Sequence, residues 1–284
     1  MEITEINIYP IKSLKGIALS ESVVEKRGLR LDRRWMLTDP DGMFFTQREV
    51  PKMAAITVRV ESGELRVESE SGENLSVPFE PDRGSRQNVV VWQSEVESVV
   101  YNGQFSEWFS DALGRKCQLV VMPESWDRHV NEQFDSGGDI VSFADGYPLL
   151  LANEASLEEL NDRIGDEKAR VPMNRFRPNL VVSGAEPFAE DMWRRIKIGE
   201  TIFRVPKPCA RCVIPTIDQD TGEFDGKEPS RTLATFRRPR QVYPDTFASY
   251  AFQGNEVLFG TNLIPENAGA VVRIGDDVEV LETI

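Results

Sequence analysis

Short runs of alternating hydrophobic and polar residues, separated by turn residues, dominate this sequence of 284 residues. The first run places Ile3, Ile6 and Ile8 between polar neighbours, and such alternation is typical of a strand with one buried face. Comparable runs predict further strands at 21–25, 35–38, 55–60, 64–69, 88–91, 117–122, 180–183, 195–198 and 201–205. The chain is therefore predicted to be rich in β-structure.

Two segments have helical rather than alternating spacing. Residues 104–113 repeat apolar side chains at helical intervals and end at Gly114, which suits a helix C-cap. Residues 156–164 begin with Ser156 and Glu159, the spacing of a capping box, and end at Gly165. We expect one helix at each place.

Many short strands and few helices predict a β-rich α+β fold with an antiparallel barrel or sandwich. The polar segment 123–138 is the predicted connection between domains 1–122 and 123–284. Segments 195–205 and 271–281 both read as strand, glycine–acid turn and strand. They predict two hairpins in a second β-barrel.

Composition limits the possible partners. The net charge is −14, and an acidic protein is repelled by nucleic acid and by anionic membrane surfaces. We therefore expect neither as a partner, and the charge is read as an aid to solubility.

The compartment is predicted from the cysteines and the N-terminus. Three cysteines do not make a disulfide framework, so a reducing compartment is expected. The first residues lack the basic start and apolar run of a signal peptide. No window approaches the roughly 20 apolar residues of a membrane span. These features predict a cytoplasmic protein without a membrane anchor.

Two of the three cysteines, Cys209 and Cys212, form a C-x-x-C pair. A thioredoxin-like dithiol should be followed by a helix, but β-branched residues and Pro215 follow here. A zinc site needs four ligands, and the chain offers only Cys117 and His129 in addition. Both alternatives are therefore disfavoured.

Two readings of the pair stay open. Free cysteines are often small buried hydrophobic residues. However, Lys207 and Arg211 lie within two residues of the thiols, and nearby cations favour a thiolate. A reactive or metal-bound sulfur is the second interpretation.

Basic residues recur in turns that follow predicted strands. They form three groups: Lys12, Ser13 and Lys15; Arg33 and Arg34; Arg175 and Arg177. Arginine, lysine and hydroxyl groups in turns suit a phosphate or another planar anion. Taken together, the groups predict an anion site, although any one of them could be a solvated surface charge.

The cysteine segment KPCARC, followed by PTIDQDTG, resembles the motif of the MOSC family. The resemblance is to the branch with its own N-terminal β-barrel domain, which includes the mitochondrial amidoxime-reducing component and its bacterial relatives. It extends over nearly the whole chain through YPIKSLKG at 9–16, DRRW at 32–35, NEASL at 153–157 and RFRPN at 175–179. It implies two β-barrel-like domains, with the cysteine motif in the second.

The resemblance also implies a site for the molybdenum cofactor, a molybdopterin, and no role for pyridoxal phosphate. Cys212 would be the protein ligand to the metal and a catalytic residue. Asp145 would be a second catalytic residue near the metal, which orients a ligand or carries a proton, unless it is a plain turn carboxylate. The implied cofactor-binding residues are Lys12, Ser13, Arg33, Arg34, Arg175, Arg177 and Asn179, with Arg34 standing where some relatives carry an aromatic residue.

The implied activity is the molybdenum-dependent reduction of N-hydroxylated compounds. Because no cysteine follows Cys212, the electrons are expected from a separate protein, a ferredoxin or a flavin reductase. The alternative is a cofactor carrier or sulfur-transfer module with a persulfide on Cys212. A third reading is a small-molecule binding protein in which the cysteines are structural.

Overall fold

The computed structural model describes residues 1–252 and 254–284 and contains mainly short strands. The strands are β1 (Glu2–Ile8), β2 (Ile17–Leu19), β3 (Glu21–Glu25), β4 (Gly28–Leu29), β5 (Trp35–Thr38), β6 (Thr57–Glu61), β7 (Glu64–Glu68), β8 (Asn74–Pro78), β9 (Ser85–Val91), β10 (Ser94–Val100), β11 (Gln118–Val121), β12 (Leu149–Asn153), β13 (Leu180–Ser183), β14 (Trp193–Ile198), β15 (Thr201–Arg204), β16 (Pro208–Arg211), β17 (Val257–Pro265), β18 (Val271–Arg273) and β19 (Val278–Thr283). The α-helices are α1 (Gly103–Leu113), α2 (Glu154–Ile164), α3 (Ser230–Phe236) and α4 (Pro239–Val242). Short 3₁₀ turns occupy Pro51–Ala55, Glu167–Ala169, Met173–Phe176, Ala189–Met192, Ile214–Thr216 and Phe247–Tyr250.

The largest sheet joins strands from both ends of the chain. Its order is β19-β14-β15-β17-β12-β13-β1-β2, and β16 also pairs with β17. All of these pairings are antiparallel except that of β12 with β13. In the described residues none of the sheets closes on itself. The predicted β-rich α+β class is confirmed.

Strand β1 shows why the first alternating run is irregular. Ile3 and Ile6 are three residues apart, so a regular strand would turn them to opposite faces. The register between β1 and β13 shifts between Ile3 and Glu5, and such a bulge restores the facing of the following residues. Ile3, Ile6 and Ile8 consequently all enter one hydrophobic core.

A second core lies under helix α1 in the N-terminal half. Phe105, Phe109 and Leu113 recur on one face of the helix and pack with Trp35 and other buried residues of this core. The helix ends at Gly114, which has φ +65° and donates its N–H to Ser110 and Asp111 carbonyls. The predicted helix and its C-cap are confirmed.

The predicted capping box of the second helix is wrong. Helix α2 starts at Glu154, and the Asn153 side chain caps it by accepting from the Ala155 N–H. The Ser156 hydroxyl is instead used in tertiary contacts, because it donates to Glu190 and accepts from the Phe188 N–H. The predicted C-cap, Gly165, has φ +70° and is confirmed.

Of the two predicted hairpins, one forms. Strands β14 and β15 pair across the turn as expected. The 271–281 hairpin is wrong, because β18 pairs with β3 and β19 pairs with β14. Strands distant in sequence supply the backbone hydrogen bonds of both β18 and β19, and the sequence of the segment carries no sign of these partners.

The domain boundary at residues 122 and 123 stays a prediction.

Two buried acidic residues, Glu190 and Asp191, fasten the 3₁₀ turn Ala189–Met192 to neighbouring segments. Glu190 is 0% exposed and accepts from Asn153 Nδ2 at 3.1 Å and from Ser156 Oγ at 2.8 Å. Its neighbour Asp191 forms a buried ion pair with Arg237. Burial, with the Asp191 charge adding to it, raises the pKa of Glu190 to about 7.

We expect Glu190 to make folding stability depend on pH. Its pKa is higher in the folded than in the unfolded chain, so the folded state binds more protons between about pH 4.5 and 7. The free energy of unfolding should therefore fall as pH rises through this window, by about 2 kcal/mol from this group. Urea unfolding at about pH 5 and pH 8 measures the change, which Glu190→Gln should largely remove. Equal pH dependence in the wild type and the variant would contradict this assignment.

Candidate functional site

A cavity of about 280 Å³ lies where the loop after β1, the loop before β12, the turn before β13 and strand β16 meet. Among the described residues, one carboxylate lines it, that of Asp145. The cationic lining residues are Lys12, Arg33, Arg48, Arg177, Lys207 and Arg211. In a chain with a net charge of −14, this is a local concentration of positive charge that suits an anionic ligand.

Two of these arginines share one aromatic ring. The guanidinium groups of Arg33 and Arg177 lie 4.4 and 4.2 Å from the centroid of the Tyr9 ring. Arg33 Nη1 donates to Asp32 Oδ2 at 2.6 Å, and the Tyr9 N–H donates to Asp32 Oδ1 at 2.7 Å. Asp32 is 0% exposed, so this buried carboxylate fixes the ring and one of the guanidinium groups.

The backbone at the cavity adopts an uncommon conformation. Ser13, Arg33 and Arg177 have φ values of +70°, +49° and +55°, a region that residues other than glycine rarely occupy. Such conformations cost free energy and tend to occur at functional sites. Three of the residues predicted to bind the cofactor are therefore held in place by their backbone as well as by side-chain contacts.

Asn179 and Gln219 complete the positioning of the two arginines. Asn179 Oδ1 accepts from Arg33 Nη1 at 3.1 Å and from the Leu150 N–H at 3.1 Å. Arg177 donates to Gln219 Oε1 at 3.0 Å and to the Leu14 carbonyl at 2.7 Å. The two guanidinium groups are thus oriented before any ligand binds, which lowers the entropy cost of binding.

Asp145 connects three side chains at the cavity. It accepts from Lys12 Nζ at 2.5 Å and from Trp92 Nε1 at 3.2 Å, and its other oxygen lies 3.5 Å from Arg48 Nη2. Desolvation pushes the pKa of Asp145 upward, but the charges of Lys12 and Arg48 outweigh it and hold that pKa below its usual range. The carboxylate is therefore ionised at neutral pH.

The loop that carries Asp145 is held by Arg128, which sequence reasoning missed. This buried side chain donates to the carbonyls of Ser142 at 2.8 Å, Ala144 at 2.6 Å and Asp145 at 2.8 Å. Lys12 Nζ donates to the Phe143 carbonyl at 2.7 Å. Two cations thus fix four successive residues of the loop.

The two cysteines have different surroundings. Cys212 Sγ accepts from Arg48 Nη2 at 3.3 Å and from the Ile214 N–H at 3.5 Å. Cys209 Sγ accepts from Arg211 Nη1 at 3.1 Å. Both line the cavity and both are partly exposed. Neither cysteine is the fully buried hydrophobic residue of the first interpretation.

Two of the predicted cofactor-binding residues do not line this cavity. Arg34 is buried, and its guanidinium donates to Glu124 and to the Met122 carbonyl, because a buried charge needs such partners. Arg175 pairs with Asp218 and Asp225 and so holds the 218–225 loop. The other predicted residues, which are Lys12, Ser13, Arg33, Asp145, Arg177, Asn179 and Cys212, are brought together.

Arg48 and Trp92 were also missed. The Arg48 guanidinium lies 4.7 Å from the Trp92 ring centroid and reaches both Cys212 and Asp145. Trp92 is 45% exposed, in the turn between β9 and β10, with φ +56°. Glycine or asparagine usually occupies such a turn position, so a tryptophan there was a usable signal. Nothing in the sequence distinguished Arg48 from surface arginines.

Lys12 should make anion binding depend on pH. Burial lowers its pKa to about 8, although the Asp145 carboxylate opposes the change. Lys12 carries its charge below that pH and loses it above. We expect sulfate, whose own charge is constant in this range, to bind about three- to tenfold more weakly at pH 9.5 than at pH 7.

Calorimetric titration of the protein with sulfate measures this change. Lys12→Arg serves as the control, because arginine stays charged over the whole range. Its affinity should change little with pH. If the sulfate affinity of Lys12→Arg fell with pH as steeply as that of the wild type, the pH dependence would belong to another group.

The lining suits an anionic group that brings most of its own metal ligands. No cluster of three or more His, Cys, Asp or Glu side chains that could hold a metal ion occurs in residues 1–252 and 254–284. The cavity nevertheless offers a partly exposed thiol beside the cations, and thiolates prefer soft metals. Arg211 Nε is buried without a hydrogen-bond partner, so one donor of the lining has none within the protein. These features fit a phosphate-bearing cofactor whose metal takes one sulfur ligand from the protein.

No helix in the described part of the chain combines the length and hydrophobicity that a membrane crossing requires.

Comparison with protein families gives two matches along the chain. The family model described as "MOSC N-terminal beta barrel domain" matches residues 1–116, and that described as "MOSC domain" matches residues 138–279. The two together cover most of the chain, in the order expected from the sequence motifs.

Curated relatives fall into two groups by name. "Mitochondrial amidoxime-reducing component 1" of Mus musculus is 33% identical over 98% of this chain and 82% of its own length. "Mitochondrial amidoxime reducing component 2" of Rattus norvegicus is 31% identical over 97% of this chain and 82% of its own length. "Molybdenum cofactor sulfurase" of Oryza sativa subsp. japonica is 33% identical over 84% of this chain, but over only 31% of its own length.

Proposed function

Because this chain belongs to the MOSC family, with an N-terminal MOSC β-barrel domain before the MOSC domain, we propose that it is a molybdenum-cofactor-dependent reductase of N-hydroxylated compounds. Relatives named amidoxime-reducing components, similar over nearly the whole chain, support the reaction class. The observation that carries the proposal is the cavity in which a cationic lining surrounds Cys212.

We assign roles in holding the cofactor to several side chains of the lining. Arg33 and Arg177, fixed on Tyr9, would bind the phosphate and pterin together with Lys12, Ser13 and Asn179. Cys212 would supply the protein ligand through its sulfur. When bound, the cofactor would supply a metal centre that exchanges two electrons, the number that N–O cleavage requires.

The reaction needs two electrons and two protons for each substrate molecule. The N–O bond breaks, the nitrogen gains one proton in place of the hydroxyl group, and the hydroxyl takes the other proton and leaves as water. Asp145 is ionised at neutral pH, so we assign it an orienting role: it holds Lys12 and Arg48 at the cavity. Arg48 in turn donates to the Cys212 sulfur and limits its movement.

The electrons are proposed to come from a separate protein, a ferredoxin or a flavin reductase. With the cofactor loaded, reduced methyl viologen should replace that protein in an assay of benzamidoxime conversion to benzamidine. Two viologen molecules should be oxidised for each benzamidine formed. A fully loaded protein that turns over no N-hydroxylated substrate would overturn the proposal.

A second function is a carrier or sulfur-transfer module with a persulfide on Cys212. The relative named molybdenum cofactor sulfurase and the partly exposed thiol favour it. Mass spectrometry of the intact protein after incubation with a cysteine desulfurase and cysteine tests it. A persulfide on Cys212 in a loaded protein without reductase activity would select this function.

A further inference from the structure

A groove of about 660 Å³ lies next to the cofactor cavity, between the segment after Cys212 and helix α3. Its characteristic residues are Val213, Phe224, Lys227, Arg231 and Arg238, and we call it the Phe224 groove. The proposed function makes no use of it.

The groove is cationic in an acidic protein. None of its lining residues in the described chain is acidic. Lys227 and Arg238 have no ion-pair partner among the described residues, while Arg231 pairs with Glu228, whose side chain is 9% exposed. Because the whole chain carries −14, an acidic protein would be repelled by most of the surface and attracted here.

The groove also has an exposed apolar centre. Val213 is 43% exposed and Phe224 is 53% exposed. Transient complexes of redox proteins bury small areas, and interfaces in general combine an apolar centre with a polar, charged rim. Phe224 and Val213 with the surrounding cations have this arrangement.

The position of the groove relates it to the proposed metal ligand. Cys212 lines both the groove and the cofactor cavity. Its sulfur accepts from Arg48, which lines the cavity and not the groove. A protein bound in the groove at Val213 would therefore contact the residue that follows Cys212 in the sequence.

We infer that the Phe224 groove is the docking site for an acidic electron-transfer protein. The inference rests on the proposed function and adds the location and the charge of its electron donor. With a one-electron carrier, two reduced carriers are oxidised for each N–O bond cleaved, and water supplies the two protons. Charge attraction would bring the carrier to the groove, and contact with Phe224 would hold it there.

The test compares protein-driven with chemically driven turnover of benzamidoxime. The donors are a plant-type [2Fe–2S] ferredoxin, which is acidic, and reduced methyl viologen. Lys227→Glu and Phe224→Ser should each lower kcat/KM for ferredoxin about five- to tenfold at low salt, and added salt should shrink the effect of Lys227→Glu. Turnover with viologen should stay unchanged.

Matched controls come from other exposed positions. Arg83→Glu makes the same charge change in the loop between β8 and β9, and Ile274→Ser removes a side chain that is 50% exposed. Neither should alter the ferredoxin-driven rate. Groove variants that behave like these controls would overturn the inference, and so would groove variants that lose viologen-driven turnover, because the groove would then bind substrate.

Binding is measured separately, without turnover. Titration of the protein, free of cofactor, with oxidised ferredoxin should give a salt-sensitive affinity that Lys227→Glu weakens and Arg83→Glu does not. Docking with this pattern but no reductase activity would contradict the proposed function alone. Activity with viologen but no ferredoxin binding at low salt would contradict the docking site alone.

Discussion

Replacing Cys212 by serine is expected to remove the bound metal and to lower reductase activity more than about a hundredfold, whereas Cys209→Ser should keep both. Loss of groups that merely orient a metal ligand already costs about 10- to 100-fold, and here the proposed ligand itself is lost. The hydroxyl of serine is a harder donor than a thiolate and binds a soft metal less well.

The two cysteines form a matched pair for this experiment. Both sulfurs lie at the same cavity and both accept from an arginine, so the substitutions are equivalent in size and exposure. Only Cys212 accepts from Arg48, which is also tied to Asp145 and Trp92. Elemental analysis for molybdenum, with pterin fluorescence after oxidation, on protein from a cofactor-producing host measures retention. Equal metal content in the two variants would contradict the assignment of Cys212 as the metal ligand.

Replacing Asp32 by alanine is expected to lower the free energy of unfolding by about 3–5 kcal/mol. Removal of one partner from a buried ion pair leaves the other charge without compensation, and losses of this size follow. Asp32 is 0% exposed, binds Arg33 at 2.6 Å and accepts from the Tyr9 N–H at 2.7 Å. Its loss would leave the Tyr9 N–H without this acceptor and the Arg33 guanidinium without its carboxylate partner.

Denaturant unfolding of three variants measures this effect. Asp32→Asn keeps an acceptor for the Tyr9 N–H but loses the charge, so it should lie between the wild type and Asp32→Ala. Glu68→Ala removes the partly exposed partner of the exposed Arg59 side chain and should cost less than about 1 kcal/mol. If Asp32→Ala were no more destabilising than Glu68→Ala, the buried pair would not be what holds Arg33 at the cavity.

The sequence predicted elements best where the signal was local. Alternation located β3, β5 and β13, and an apolar stripe with a glycine after it located α1. The N-cap of α2 was harder to predict, since Asn153 and Ser156 are both favourable N-cap residues. Glu190, 34 residues further on, takes the Ser156 hydroxyl. Local patterns therefore predict that an element exists more reliably than how its polar side chains are used.

The candidate site could be assembled from the sequence only through the motifs. Lys12, Arg33, Arg177 and Cys212 belong to segments that resemble a family, and the structure brings them to one cavity. Arg34 and Arg175 belong to the same motifs but face other partners. A motif identifies a segment, whereas backbone geometry determines which of its side chains reaches the ligand.

Hydrophobic periodicity and motif order thus determined the β-rich fold, helices α1 and α2, and seven of the residues that line the cavity, because these signals lie within a few neighbouring residues. Helices α3 and α4 were not predicted. Tertiary structure alone decided that Arg48 meets Cys212, 164 residues away, and that β18 pairs with β3. It also decided that six cations of a chain with a net charge of −14 line one cavity. Contacts between distant segments depend on how all sheets pack together, and no local pattern of residues encodes them.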